Sequence, residues 1–239
     1  MVTMLGLKGK HAFVFGVASE DSIAWAICKS LAEAGVILHL GFQKRFMSRV
    51  FKLKDQLPAI AGFYPLDVAT DADTKSFFDE FSKANPGIKA DIMIHAIGFA
   101  PRECFDRPIL FVDDDKINTA MTISANSLQR CLKHALPYLA PGSSTITLTY
   151  AASTRFVPSY GIMSMAKAAL ECWTRELSCH VGPEGHRVNA ISSGPIQTLA
   201  ASGIPGFDKI LEHVEANAPL RRNVSQEDVA GTALWLASP

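Results

Sequence analysis

A single α/β domain built on a doubly wound parallel sheet is the fold class this sequence predicts, and three observations lead there. Strand-like apolar runs alternate with helix-like segments from about residue 11 to past residue 190. Several runs, such as Ile92-Met93-Ile94, are apolar without alternation, as parallel strands covered on both faces are. No linker, internal repeat or low-complexity tract breaks the pattern, so residues 1–239 read as one unit.

The elements follow in order. His11–Phe15 reads as the first strand, and Ser22–Ala34 as a helix ending at Gly35. Val36–Phe42 is a second strand, followed by a helix over Phe46–Gln56. Ile60–Leu66 is the third strand, and the Asp71–Ala84 helix stops before Pro86. Asp91–Ile97 is the fourth, followed by a loop through Pro108 and a long helix to about Leu139. Ser144–Tyr150, a helix over Tyr160–Val181 and a strand over His186–Ser192 complete the series. Ser193–Pro205 lacks periodicity around a Pro/Gly cluster, the pattern of a binding loop or lid.

Composition excludes several classes. Lys+Arg and Asp+Glu both number 23, so net charge gives no footing for nucleic acid or an anionic membrane. With 48% hydrophobic residues the chain can bury a substantial core, yet no apolar stretch is long enough to span a bilayer. The opening Met1–Leu7 is short and precedes its lysines, unlike a signal peptide. Five scattered cysteines without metal-ligand spacing read as reduced thiols of a cytoplasmic protein, and no metal site is expected.

The chemistry concentrates in Pro158-Ser159-Tyr160-Gly161-Ile162-Met163-Ser164-Met165-Ala166-Lys167. A Tyr and a Lys seven residues apart on a helix share a face. An adjacent ammonium favours the phenolate and is expected to lower the Tyr160 pKa, making the pair a proton donor or oxyanion stabiliser at a carbonyl. The same spacing also occurs in ordinary half-exposed helices.

Strand ends supply candidates for a dinucleotide site. After the first strand, Gly16 permits a tight turn, Ala18 and Ser19 permit close backbone approach, and Ser22 offers a hydroxyl beside Ile23. An ordinary turn with Asp21 or Ser22 capping the helix fits equally. After the second strand, Gln43 can bond ribose hydroxyls; Lys44 and Arg45 can take a 2′-phosphate or stay solvated. Asp67, before Val68, can meet an adenine amino group or cap the next helix. Gly98 lets backbone lie against a cofactor.

These residues carry a resemblance. Gly16-Val17-Ala18-Ser19 with Ser22-Ile23-Ala24, His95–Pro101, Thr149-Tyr150 and Pro158-x-Tyr160-x-x-Met163-x-x-Ala166-Lys167-Ala168 are its first blocks. Gly182-Pro183-Glu184-Gly185-x-Arg187-Val188-Asn189-Ala190-Ile191-Ser192, running into Gly194-Pro195-Ile196-x-Thr198-Leu199-Ala200-Ala201-Ser202-Gly203-Ile204, is the last. In order and spacing the chain resembles the enoyl-acyl-carrier-protein reductases of bacterial fatty-acid synthesis, a divergent branch of the short-chain dehydrogenases.

The resemblance implies a single-domain Rossmann-type fold and reduction of the C=C bond of trans-2-enoyl thioesters on acyl carrier protein. NAD(H) is the implied cofactor, with NADP(H) as the alternative, and the assembly a homotetramer or homodimer. It implies that Tyr160 bonds the thioester oxygen, that Lys167 holds the nicotinamide ribose and that Tyr150 is the second active-site tyrosine. Where carbonyl-reducing relatives place a serine, this chain has Tyr150, which favours C=C over C=O reduction; an aromatic packing at a strand end reads the same way. Ile97, Gly98, Gly194, Ile196 and Thr198 would join Gly16, Ser22, Ile23, Gln43, Asp67 and Val68 at the cofactor. Phe99, Ala100, Met163, Ala200, Phe207 and Ile210 would line the acyl pocket, with a substrate loop and helix over about 193–217; Phe207 and Ile210 also suit a core-packed amphipathic helix.

Gln43 resembles the NADH-using pattern, while Lys44 leaves a 2′-phosphate contact open. Family members continue into a seventh strand that this sequence lacks, so the expected sheet is missing its usual last strand, with Val188–Ile191 at an unprotected edge. A carbonyl-reducing short-chain dehydrogenase and an inactive, C-terminally shortened relative are the competing readings.

Overall fold

The near-continuous apolar runs become strands because both their faces are covered. The structure, a computed structural model, describes residues 5–199 and 201–239. In chain order it contains β1 (His11–Phe15), α1 (Ile23–Glu33), β2 (Ile37–Phe42), α2 (Met47–Lys52), β3 (Ile60–Pro65), α3 (Asp71–Ala84) and β4 (Ala90–His95). Then come α4 (Glu103–Asp106), α5 (Asp114–Met121), α6 (Ser127–Ala135), β5 (Leu139–Thr149), α7 (Ile162–Val181), β6 (Arg187–Ser192), α8 (Phe207–Asn217) and α9 (Gln226–Ala237). The six strands pair in parallel in the order β3-β2-β1-β4-β5-β6. Strand order reverses between β1 and β4, which opens a crevice at their carboxyl ends.

Period-two geometry sorts the strand residues into two cores. Ala12, Val14, Leu38, Leu40, Ile92 and Ile94 pack with α1 and α9 on one face. Phe13, Phe15 and Met93 pack on the other with Phe77, Phe78 and Phe81 of α3 and with residues of α6 and α7. Phe13 meets Phe81 edge-on at 4.7 Å between centroids, and Phe15 meets Phe77 at 5.0 Å. Each buried ring contributes about 1.5–3 kcal/mol from area removed from water, so this layer is a principal clamp on the sheet.

Three elements differ from the sequence reading. The second helix is shorter, an α-helical turn flanked by 3-10 turns at Lys44–Phe46 and Lys54–Gln56. The long helix is interrupted by a π-turn at Thr122–Asn126 between α5 and α6. The central helix starts at Ile162 rather than Tyr160, because Ser159 and Gly161 both take positive φ (63° and 51°) and hold Tyr160 in a tight turn. A Cβ at position 161 would overlap the Cys104 carbonyl oxygen, so only glycine fits there.

Among the described residues β6 is one edge of the sheet and β3 the other. β6 is tied to α9: Arg187 donates to the Leu236 and Ser238 carbonyls and Ser144 donates to Leu236 O, satisfying the helix's C-terminal acceptors. A Ser225/Asp228 capping box starts α9, with Arg222 paired to Asp228.

At the opposite end of the sheet from the crevice, His11 Nδ1 and His39 Nε2 lie 3.0 Å apart in stacked rings. His39 is fully buried, its Nδ1 has no partner, and burial, then His11, lowers its pKa to about 4. An unfolded histidine takes up its proton near 6.5, so between pH 6.5 and 4 the unfolded chain binds more protons at this position. Stability conferred by a neutral His39 is complete above about pH 6.5 and is lost as pH falls toward 4. His95, lowered to about 3 chiefly by burial, acts with the same sign. Replacing His39 by Phe should flatten the fall in denaturation midpoint between pH 6.5 and 4; an unchanged slope would remove His39 from this account.

Candidate active site

The crevice at the carboxyl ends of the strands is a cavity of about 900 Å3. Each strand end contributes: Gly16, Ser22 and Ile23 after β1; Gln43 after β2; Asp67 and Val68 after β3; Ile97 to Ala100 after β4. Tyr150 follows β5, and Gly194, Ile196 and Thr198 follow β6. Tyr160, Met163 and Lys167 enter from the start of α7, and Phe207 and Ile210 from α8. Ala200 lies outside the described residues. The other candidate cofactor, substrate and catalytic residues line one cavity, whereas Lys44 stands outside its lining although Arg45 is within it.

The first turn is shaped for an anion. Gly16 has φ 105° and presses on Ala96, whose carbonyl oxygen a Cβ would overlap. Ser22 is the N-cap of α1, yet its hydroxyl donates backwards to Ser19 O at 2.6 Å instead of accepting from the helix. The first amides of α1 thus keep their N–H groups for a ligand, and the buried Ser19 Oγ beside them has no partner. This cradle fits the pyrophosphate of a dinucleotide. Asp67 does not cap α3, a role Thr70 fills; it accepts from Ala69 N at 2.9 Å and faces Gln43 Nε2 at 3.5 Å.

At the other end of the cavity the Tyr150 and Tyr160 rings stand 5.0 Å apart, inclined at 57°. Tyr160 is buried, and its pKa is pushed above the ordinary phenol value by burial first and by Tyr150 second. This reverses the expected lowering by Lys167. The reason is geometric: the Lys167 ammonium donates to Leu148 O at 2.8 Å, and desolvation dominates at the phenol. Burial also raises Tyr150 and lowers Lys167 to about 8, with Glu171 one turn along α7 opposing the latter shift. At neutral pH the site thus holds two protonated phenols and an ammonium.

Some supporting residues carry no sequence signal of their role. Ser124, in the π-turn, accepts from Phe99 N at 2.8 Å and donates to Phe99 O at 2.7 Å, fixing the segment after β4. Its hydroxyl lies 3.6 Å from the Met163 sulfur, so one residue links that segment to α7. A π-turn leaves no periodicity in a sequence, although such turns gather at functional sites. His95 bridges Thr147 Oγ1 (3.0 Å) and Ser127 Oγ (2.8 Å) directly beneath. Glu171, accepting from Thr149 Oγ1 at 2.7 Å, sits at i+4 from Lys167; that spacing was the one readable hint.

A glycine-turn cradle at a β-α crossover, beside Tyr160 in the turn before α7 and Lys167 within that helix, defines a nicotinamide-dependent oxidoreductase of the short-chain dehydrogenase class. Comparison with known proteins narrows the class. The family described as "Enoyl-(Acyl carrier protein) reductase" matches residues 16–239. The enoyl-acyl-carrier-protein reductase (NADH) FabI of Synechocystis is 40% identical over 240 residues, spanning 98% of this chain and 92% of that protein. Its namesake in Escherichia coli is 41% identical over 234 residues, spanning 97% and 88%. Among solved structures, the Bacillus cereus enoyl-acyl carrier protein reductase with NADP+ and an indole naphthyridinone superposes with a TM-score of 0.93 at 37% identity, covering 97% of this chain and 90% of that one. The Aquifex aeolicus enzyme gives 0.91 at 35%, with the same coverage. The chain belongs to the enoyl-acyl-carrier-protein reductase family.

The lowered Lys167 pKa makes a direct test. Glu171→Gln removes the charge that opposes burial, so the Lys167 midpoint near pH 8 should fall further, followed by NMR of the lysine side chain. A midpoint that stays put would show that Glu171 does not set it.

Proposed function

We propose that the protein reduces the C=C bond of trans-2-enoyl thioesters borne on acyl carrier protein, in fatty-acid elongation, with NADH as reductant. The observation that carries this reading is the Tyr150–Tyr160 pair facing one cavity with Lys167, in a chain whose relatives are named for that reaction with NADH. A tyrosine at the end of β5, where a carbonyl-reducing enzyme would need a serine, argues against ketone reduction.

The residues divide the work as follows. The α1 N-terminus, Gly16, Ser22 and Ile23 bind the pyrophosphate, while Gln43, Asp67 and Val68 enclose the adenosine end. Ile97, Gly98, Gly194, Ile196 and Thr198 flank the nicotinamide end, where Lys167 reaches the ribose. A bound reduced nicotinamide supplies the hydride to the β-carbon of the substrate. Tyr160 donates a hydrogen bond to the thioester oxygen; because burial holds its proton in place, it serves as a fixed donor where negative charge develops. The Lys167 cation steadies that charge from beside Leu148. Tyr150 packs against Tyr160 and limits its orientation. Phe99, Ala100, Met163, Ala200, Phe207 and Ile210 receive the acyl chain, the described ones from the apolar wall of the cavity.

The cofactor choice follows Gln43, which suits ribose hydroxyls; Lys44, exposed beside it, is the cation that a 2′-phosphate of NADP(H) would meet. The enzyme works in the cytoplasm as a homotetramer or homodimer. Free cysteines and exposed Ile109, Leu110, Phe111 and Phe156, an apolar surface suited to a subunit contact, support this. No helix among the described residues is long and apolar enough to cross a membrane.

Initial rates followed at the nicotinamide absorbance band test the assignment. Tyr160→Phe should lower kcat by roughly a hundredfold or more, the size seen when one oxyanion donor is removed, with little change in KM. Lys167→Ala should lower kcat and weaken cofactor binding together. Undiminished rates in both variants, or faster turnover of a 3-ketoacyl than of an enoyl thioester, would overturn the reading.

A further inference from the structure

Arg130, on α6, stands outside the cavity lining, yet it holds a residue that belongs to it. Its guanidinium donates to the carbonyl of Val68, which lines the cavity just after β3. A carbonyl beyond the end of a parallel strand has no ladder partner, and among the described residues no backbone amide reaches this one. The bond is partly buried, so water competes for it less than at an open surface.

The same peptide unit is held from its other side. Ala69 N donates to Asp67 Oδ1 at 2.9 Å. Val68 C=O and Ala69 N–H lie in one rigid plane, so Arg130 pins its oxygen while the Asp67 carboxylate pins its hydrogen. The second bond in turn orients that carboxylate, whose other oxygen faces Gln43 Nε2 at 3.5 Å. Thr70 caps α3, so the helix itself gives Asp67 no anchor. Without the Arg130 bond the plane is free to rotate, its N–H leaves Asp67, and the carboxylate loses its fixed direction.

Two other contacts join α6 to the start of α3: Lys133 and His134 both reach Asp71 at 2.9 Å. Both are exposed pairs of the kind that contributes little. Arg130 is the contact with a geometric consequence inside the cavity. Earlier on the same stretch Ser124 holds Phe99 by a similar device, a side chain bonded to loop backbone.

Resting on the reading that seats an adenosine beside Gln43, Asp67 and Val68, we propose that Arg130 is a positioning residue for the cofactor. By holding the Val68–Ala69 peptide plane it aims the Asp67 carboxylate at the adenosine half. Its effect falls on cofactor affinity and leaves hydride transfer, at the other end of the cavity, unchanged.

The test measures binding of NADH and of ADP-ribose, which carries the adenosine end without the nicotinamide, by calorimetry beside steady-state kinetics. Arg130→Met should weaken both about tenfold, the size of one lost hydrogen bond from a charged donor. KM for NADH should rise to match, with kcat and the KM for the enoyl thioester unchanged. Arg130→Lys, which keeps a cationic donor on a long stem, should recover most of the loss. In Asp67→Ala protein the Met substitution should cost almost nothing further, because the carboxylate it would misplace is gone. Unchanged ADP-ribose affinity in Arg130→Met would overturn the proposal. Losses that add in the double variant would overturn it too, making Arg130 a remote charge acting on the pyrophosphate. So would a fall in kcat as large as the loss of affinity, the mark of general damage to the fold. Should Arg130→Met not fold, Arg130→Gln, whose uncharged amide sits on a shorter stem, carries the same comparison. Binding of neither ligand by the unaltered protein would instead sink the cofactor reading on which the proposal stands.

Discussion

One buried ammonium organises the site. Lys167 is 8% exposed, and removing such a charge from water costs several kcal/mol unless hydrogen bonds and counter-charge offset it. Here the Leu148 carbonyl accepts from it at 2.8 Å and Glu171 supplies the opposing charge, itself held by Thr149. Both partners belong to the end of β5 or to α7, so satisfying the charge locks the helix against the strand. The same lock places Tyr160 and Tyr150 on one wall of the cavity, and it leaves the Lys167 pKa near the working range of pH.

The start of α7 is equally constrained. Ser159 occupies the left-handed region without being glycine, a local cost of about 1–3 kcal/mol that the surroundings must impose. Gly161 has no room for a side chain against Cys104 of α4, so the chain can turn there in one way. Opposite, Ser124 in the π-turn pins Phe99 and meets Met163. Strain and a helix irregularity thus converge on the two segments that frame the phenols. A protein that needed only stability would keep the helix regular; these departures trade local stability for placement of two side chains.

Much of this was legible in the sequence, for stated physical reasons. Strand positions were readable because parallel strands buried on both faces write unbroken apolar runs: five strands agree with the structure to within two residues at either end, while β5 starts at Leu139, five residues before the expected Ser144. Most candidate residues share one cavity because they fall at strand ends, where a doubly wound sheet gathers them, while Tyr160, Met163 and Lys167 reach it from the start of α7 and Phe207 and Ile210 from α8. The pKa of Tyr160 was not readable, because seven-residue spacing says that two side chains share a face but not how deeply each is buried or where an ammonium points. The π-turn was hidden for a related reason: one extra residue in a turn changes no composition.

Burial raises the Tyr160 pKa and keeps the phenol protonated, which is what its proposed role as a fixed hydrogen-bond donor requires. Titrating the protein with ring-labelled tyrosine by carbon NMR, with Tyr160 assigned through its phenylalanine variant, measures this directly. The account predicts that the Tyr160 signal shows no ionisation up to pH 10. Ionisation of that phenol near neutral pH would contradict it.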